Sequence, residues 1–132
     1  MVAYIDGGSR GNPGPAGYGV RIEDDQAALV EELRGALGVA TNNVAEYHGL
    51  LAALTWAAER GVKALEIRSD SELLVKQMLG VYRVKNPGLQ PLHQRARQLA
   101  ARVGRVRFQH VRRELNTEAD RLANLAMDEA GG

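Results

Sequence analysis

The sequence contains no cysteine. This absence excludes disulfides, zinc–thiolate sites, iron–sulfur clusters and thiol nucleophiles. Any metal ion in this protein has to be bound by oxygen or imidazole ligands, and oxygen ligands favour hard cations such as magnesium or manganese.

Long apolar runs are also missing. None approaches the roughly 20 residues of a membrane-spanning helix, and the opening MVAYIDGG lacks the basic and apolar regions of a secretory signal. We therefore expect a soluble, cytoplasmic protein with no membrane partner. A length of 132 residues with 45% hydrophobic and 25% charged content fits one globular domain over residues 1–132, without a linker.

The chain has little net charge, +1 at neutral pH, but its charges are segregated. Between Arg60 and Arg113 there are thirteen Lys or Arg residues against three acids, whereas the stretch from Glu23 to Glu46 is rich in acids. A basic face on a nearly neutral protein fits binding to a phosphate backbone. Solvated helix faces explain the same pattern, so charge alone does not decide between the two.

The apolar pattern alternates in some segments and follows helical spacing in others. It predicts strands over residues 2–6, 18–23, 28–34, 64–69 and 106–110, and helices over 43–60, 71–79, 92–103 and 118–127. The glycine-rich GGSRGNPGPAG after the first strand is predicted to be a loop. This order of elements predicts an α/β fold in which helices pack on a mixed five-stranded sheet.

Four acids stand where predicted strands end or predicted helices begin: Asp6, Glu46, Asp70 and Asp120. Three have a structural explanation, because capping boxes are possible for Asn43 with Glu46, for Ser69 with Glu72 around Asp70, and for Thr117 with Asp120. Asp6 has no helix to cap, since it ends a strand expected at the centre of the sheet. A partly buried carboxylate is costly there unless it is paired or binds a metal ion.

In sheets of this kind, ligands gather at the carboxyl ends of the strands. If the first and fourth strands are neighbours, Asp6 and Asp70 meet at one edge, and the helix starts can bring Glu46 and Asp120 to it. A cluster of carboxylates suits magnesium, and two such ions can activate water and stabilise the leaving oxygen of a phosphodiester. The pattern therefore favours a hydrolytic nuclease.

The motifs resemble those of the type 1 ribonucleases H nearly from end to end. YIDGGSRGNPGPAGYG is similar to that family's first strand and loop, TNNVAEYHGLLAAL to its first helix, RSDSELLVKQ to its second acidic junction, and NTEADRLANLA to its last helix. The resemblance implies a ribonuclease H-like fold with Asp6, Glu46, Asp70 and Asp120 as the metal-binding acids. It further implies two-metal hydrolysis of the RNA strand of RNA/DNA hybrids, leaving 5′-phosphate and 3′-hydroxyl ends.

The resemblance also implies substrate contacts for Asn12, Thr41, Asn42 and Asn43. Amides and backbone N–H groups suit phosphates and sugar hydroxyls, and the 2′-hydroxyl distinguishes RNA from DNA. Plain turn and cap roles explain the same residues equally well. The implied cofactor is Mg²⁺ with Mn²⁺ as a substitute, the implied substrate is an RNA/DNA hybrid with RNA/RNA duplexes left open, and the implied state is a monomer.

Two features of the best-known members of the family are absent. The loop before the last acid carries no histidine and reads VRREL, which leaves Arg112, Arg113 or Glu114 as substitutes. The three histidines are placed outside the catalytic set: His48, His93 and His110.

The second missing feature is a basic protrusion, because only YRVKNPGLQP joins the two middle helices. The sequence is therefore similar to the short form of the family. Candidates for contacts with the DNA strand are Arg83, Lys85, Arg95 and Arg97, with solvated helix charge as the equal alternative.

Three other functions compete with this hypothesis. A nucleotide-binding protein is disfavoured, because the glycine-rich loop lacks both phosphate-binding spacings and leads into a strand, where those motifs require a helix. A catalytically silent module that binds hybrids or duplexes would keep the fold, although the intact acid set argues against it. Resolvases, transposases and exonucleases share related folds with clustered acids, and the TNN and GNPGP elements favour the hybrid-cutting branch.

Overall fold

The computed structural model describes residues 1–131, and these residues form one five-stranded sheet with four α-helices. The strands are β1 (Val2–Ser9), β2 (Gly14–Glu23), β3 (Leu29–Ala40), β4 (Ala64–Ser69) and β5 (Arg105–His110). The helices are α1 (Asn42–Glu59), α2 (Glu72–Met78), α3 (Gln90–Val103) and α4 (Thr117–Glu129), and a 3₁₀ turn (Arg113–Leu115) precedes α4. The predicted order of strands and helices is confirmed.

The strands lie in the order β3-β2-β1-β4-β5. β1 pairs antiparallel with β2 and parallel with β4, β2 pairs antiparallel with β3, and β4 pairs parallel with β5. The predicted mixed five-stranded sheet is therefore confirmed, with β1 at its centre. β3 extends to Ala40, beyond its predicted end at residue 34, because Ala40 pairs with Gly14 at the start of the longer β2.

The glycine-rich segment near the start of the chain is mostly strand, and the prediction of a long loop there was wrong. β1 continues to Ser9 and β2 begins at Gly14, so only residues 10–13 connect them. Gly8 pairs with Gly17 within this extension. Backbone hydrogen bonds carry the pairing, and the glycines leave space for helices that approach closely.

None of the three expected capping boxes forms. The hydroxyl of Thr41 caps α1, the hydroxyl of Ser71 caps α2, and α4 begins after Asn116, whose side chain makes no capping hydrogen bond. A capping box requires its acid at the third helical position. These starts place the acids of the three expected boxes elsewhere: Glu46, Glu72 and Asp120. The capping explanation was therefore wrong, since each helix begins at a different residue from the one expected.

Helices cover both faces of the sheet. On one face, α1 and α3 contact each other and enclose the apolar core, which includes Ile5, Val20, Leu50, Leu54, Ile67 and Leu99. On the other face, α4 lies against β1, β2 and β3. Side-chain alternation along β2 separates the two: Tyr18 lies near Gly49 of α1, whereas Gly17 and Gly19 face α4. No helix within residues 1–131 is long and apolar enough to cross a membrane.

Candidate active site

The register of the two central parallel strands places Asp6 beside Asp70. The last paired residues of β1 and β4 are Ile5 and Ser69, and an acid follows each of them in the chain. Asp6 is not at the end of its strand, as the sequence suggested, because β1 continues to pair with β2 beyond it. The two carboxyls therefore lie at the edge where the β1–β4 ladder stops.

A close approach of α1 to β1 brings Glu46 to the same edge. A Cβ added to Gly7 would lie 2.4 Å from the carbonyl carbon of Ala45 and 2.5 Å from the backbone nitrogen of Glu46. Both contacts are with backbone that cannot move aside, so a side chain at this position would separate the helix from the strand. The glycine that follows Asp6 thus sets the position of Glu46.

A similar close approach, of α4 to β2 on the opposite face of the sheet, brings Asp120 to this edge. A Cβ on Gly19 would lie 2.5 Å from the carbonyl oxygen of Ala119, and Gly19 is paired with Asp6 across β1 and β2. Asp120 follows Ala119, and its side chain is hydrogen-bonded to that of Asp6. A hydrogen bond between two carboxyl groups requires a proton on one of them. We call Asp6, Glu46, Asp70 and Asp120 together the acidic edge.

Burial and mutual repulsion change the protonation of this cluster. Burial, followed by the charge of Asp70 and the contacts with Asp120, raises the pKa of Asp6 to about 8. Burial also raises the pKa of Glu46 to about 7, where the Ser71 hydroxyl and the charge of Arg113 oppose the rise and Asp70 adds to it. Two acids that retain protons near neutral pH are typical of functional sites.

The donor set fits a hard cation. All four side chains offer oxygen, and Oε2 of Glu46 is buried without a hydrogen-bond partner. Nevertheless, across the part of the chain that the structure describes, no three acidic or histidine side chains converge closely enough to hold a metal ion as they stand. A divalent cation bound here would favour the ionised forms of these acids.

The four predicted substrate-contact residues lie where the β1–β2 turn meets the start of α1. The side-chain oxygen of Asn12 accepts a hydrogen bond from the backbone nitrogen of Asn42 at 3.0 Å. Oδ1 of Asn42 accepts one from the backbone nitrogen of Ser9 at 2.7 Å, and Thr41 caps α1. Asn43 is exposed. Three of the four therefore have a structural bond that fixes this segment, and Asn43 presents its amide to solvent.

A cleft of about 600 Å³ lies between α2, the following connection and α3. Its lining includes Tyr82, Arg83, His93 and Arg97, and none of the acidic edge. Two of the four predicted DNA-contact residues, Arg83 and Arg97, thus share one cavity. The other two, Lys85 and Arg95, are exposed outside its lining. The cavity adjoins a buried contact in which the Tyr47 hydroxyl donates to Oε1 of Gln77 at 2.7 Å.

The histidines do not join the acidic edge. His110 ends β5 and is exposed, and Nε2 of His93 lies 3.2 Å from the carbonyl oxygen of Gln77. Burial within α1 lowers the pKa of His48. Of the three loop residues suggested as substitutes for a histidine, Arg113 is the one whose charge acts on Glu46.

One residue at this edge was not anticipated. Asn116 is 1% exposed, and its Nδ2 donates to the carbonyl oxygen of Ile5 at 2.9 Å, across 111 residues of sequence. No local signal in the sequence pointed to this residue, because the folded sheet brings its partner to it.

Comparison with known proteins places this geometry in a family. Residues 4–126 match the reverse transcriptase-like family. Ribonuclease HI of Halobacterium salinarum is 44% identical over 97% of the chain. The crystal structure of LC11-RNase H1 in complex with an RNA/DNA hybrid superposes with a TM-score of 0.93, at 43% identity over 99% of each chain.

The chain belongs to the ribonuclease H family. The predictions of this family and of its fold are thereby confirmed. The Bifunctional protein Rv2228c of Mycobacterium tuberculosis is 48% identical over 98% of this chain. This ribonuclease H chain spans 36% of the length of the mycobacterial relative and 64% of that of the halobacterial one.

Proposed function

We propose that residues 1–132 act as one ribonuclease H domain, a cytoplasmic monomer that cuts the RNA strand of RNA/DNA hybrids endonucleolytically. The observation that carries the proposal is the meeting of Asp6 with both Asp70 and Asp120, while Glu46 responds to the charge of Asp70. The relative crystallised with an RNA/DNA hybrid supports the choice of substrate.

The acidic edge would bind magnesium, with manganese as a substitute, through all four of its carboxylates. When bound, divalent cations supply positive charge that activates an attacking water and stabilises the departing oxygen. Water then attacks the scissile phosphorus and the bond to the 3′-oxygen breaks. The products carry a 5′-phosphate and a 3′-hydroxyl.

The chain's own residues would select and hold the hybrid. The hydrogen bonds of Asn12, Thr41 and Asn42 fix the segment before α1, so that Asn43 and nearby backbone groups can contact the sugar hydroxyls of the RNA strand. Arg83 and Arg97 in the 600 Å³ cleft, together with Lys85 and Arg95, would neutralise phosphates of the DNA strand.

One observation favours a second candidate. Within residues 1–131 the acids are not arranged to hold a metal ion without rearrangement. A catalytically silent module that binds hybrids or duplexes would need no such rearrangement. The two candidates predict the same binding but differ in cleavage.

The deciding experiment presents labelled RNA/DNA, RNA/RNA and DNA/DNA duplexes to the purified protein with magnesium, manganese or a chelator. The proposal expects metal-dependent cutting of the RNA strand of the hybrid, with 5′-phosphates at the new ends. Cutting of RNA/RNA as well would mean a broader substrate class. Binding of the hybrid without cleavage in either metal would support the silent module instead.

A further inference from the structure

The side chain of Asn116 has an unusual hydrogen-bond partner. An asparagine at an N-cap ordinarily accepts a hydrogen bond from a backbone N–H in the first turn of its helix. Asn116 precedes α4 but makes no such bond. Its Nδ2 instead donates to the carbonyl oxygen of Ile5, and its Oδ1 is buried without a partner. The missing capping bond and the unpartnered Oδ1 both cost stability, so helix capping does not explain this residue.

The partner of Asn116 lies directly before an acid. The carbonyl group of Ile5 belongs to the peptide that leads into Asp6, and Ile5 forms the last pair between β1 and β4. The amide of Asn116 therefore holds the β1 backbone at the point where the support of β4 ends. A shift of this carbonyl would turn the peptide on which the Asp6 side chain is mounted.

The backbone of Asn116 reaches two further parts of the edge. Its carbonyl oxygen accepts a hydrogen bond from the backbone nitrogen of Asp120 at 3.1 Å. Its backbone nitrogen donates to the carbonyl oxygen of Arg113 at 2.9 Å, and the charge of Arg113 acts on Glu46. One buried residue thus joins β1, α4 and the 3₁₀ turn next to the acids that each of them carries or faces.

We propose that Asn116 is a positioning residue whose amide sets the separation of Asp6 and Asp120, and with it the affinity of the acidic edge for divalent cations. The inference rests on the proposed function, since it assigns that edge a metal. Asn116 touches neither substrate nor metal. It acts through the Ile5 peptide and through the first turn of α4, and it gives up a capping bond to do so.

The test uses Asn116→Ser. A serine hydroxyl can cap α4, but the shorter side chain cannot reach the Ile5 carbonyl oxygen, so the variant keeps the helix start and loses the bridge. Asn124→Ala is the matched control: the Asn124 amide also donates to a backbone carbonyl, that of Asp120 at 2.9 Å, but the bond lies within α4 and Asn124 is only half-buried. Circular dichroism and the melting temperature establish that each variant is folded. If the serine variant is not, Asn116→Thr replaces it under the same criteria.

Two readouts separate positioning from general loosening. Manganese binding, followed by its electron paramagnetic resonance signal without substrate, is expected to weaken by about 10- to 100-fold in Asn116→Ser and to stay unchanged in Asn124→Ala. On the hybrid, kcat is expected to fall by a similar factor at fixed magnesium while KM stays near the wild-type value.

The outcomes distinguish the two proposals. A folded Asn116→Ser with wild-type manganese affinity and kcat would overturn the positioning role while leaving the ribonuclease activity intact. Wild-type protein that cuts no hybrid would overturn the proposed function, and the manganese titration would still decide whether Asn116 tunes the acidic edge. If KM rose in Asn116→Ser by the same factor as kcat fell, the residue would act on the substrate, and the positioning role would be rejected.

Discussion

The acidic edge and the apolar core meet in β1, where a single peptide bond separates a core residue from an acid. Ile5 is 1% exposed and packs among side chains such as Leu50, Leu54 and Ile67, each fully buried. Asp6, the next residue, faces two other acids. The core stabilises the fold by burial of apolar surface, whereas the edge holds like charges and unpaired polar atoms that destabilise it. The acidic edge therefore lies directly beside the core, whose buried apolar surface offsets the destabilising effect of the acids.

The two regions also differ in how their elements touch. In the core, large side chains separate α1 and α3 from the sheet. At the edge, Gly7 and Gly19 let helix backbones lie directly on strands, which leaves the acids little freedom to separate. Close backbone packing therefore forces repelling groups together, and side-chain packing stabilises the structure that does so.

The largest expected effect removes one charge from the edge. Asp70→Asn should lower kcat on the hybrid by about 1000-fold or more, equivalent to roughly 4 kcal/mol of transition-state stabilisation. The metal-free protein should melt at the same or a higher temperature, because the charge that repels Asp6 and Glu46 is gone. Single-turnover cleavage and calorimetry in chelator measure both. Wild-type turnover by this variant would refute the assignment of the acids.

The reverse experiment truncates the core. Leu54→Ala should reduce the free energy of unfolding by about 2–5 kcal/mol, because Leu54 is fully buried. The kcat at temperatures well below the melting point should stay near the wild-type value, since the residue lies outside the edge. Leu79→Ala, at a leucine that is 56% exposed, serves as the control. If kcat fell in proportion to stability, the division between edge and core would be wrong.

A change at the boundary should affect both properties. Gly7→Ala places a Cβ against the backbone of Ala45 and Glu46, and we expect a loss of about 1–3 kcal/mol in stability together with a reduced kcat as α1 shifts. Gly8→Ala is the neighbouring control, because its Cβ would meet the flexible Met127 side chain at 3.4 Å. Chemical denaturation and hybrid cleavage are the measurements. Equal effects of the two substitutions would show that the α1 contact is not special.

The last prediction is a pH dependence of stability. The pKa of Asp6 rises from 3.8 to about 8 on folding and that of Glu46 from 4.5 to about 7. Between these values the folded protein binds more protons than the unfolded chain, so the free energy of unfolding falls as pH rises. The melting temperature of the metal-free protein should therefore decline from pH 5 to about pH 8.

Asp6→Asn provides the control for this pH dependence, because it removes the larger of the two pKa shifts. Its melting temperature should change less over the same range, and magnesium should flatten the wild-type profile by favouring ionised acids. A wild-type melting temperature that rises over this range in chelator would contradict the assigned protonation of the edge.

Much of the fold was predictable because it depends on local periodicity. The alternation around Leu65 and Ile67 gave β4, and the helical spacing from Val44 to Ala58 gave α1, with glycine at its end. The order of elements then implied a mixed sheet, which is confirmed. The four acids were identifiable from their places at predicted strand and helix ends, and their roles stay a prediction.

The errors share one physical origin, which is contact between distant parts of the chain. The segment from Gly7 to Gly17 was assigned to a loop because glycine is a turn former, yet pairing between strands and approach by helices require it here. The helix caps were misplaced by one or two residues, since neighbouring Ser, Thr and Asn residues all qualify. The contact of Asn116 with Ile5 has no local signal at all.

The same long separation has a consequence for synthesis of the protein. Asp6 leaves the ribosome long before Asp120, because Asp6 lies in β1 and Asp120 lies in α4. A nascent chain can form the first hairpin and bury Leu50 and Leu54 early, but it cannot assemble the acidic edge until α4 has emerged and docked on Gly17 and Gly19. The proposed nuclease can therefore become active only after the residues of α4 have left the ribosome.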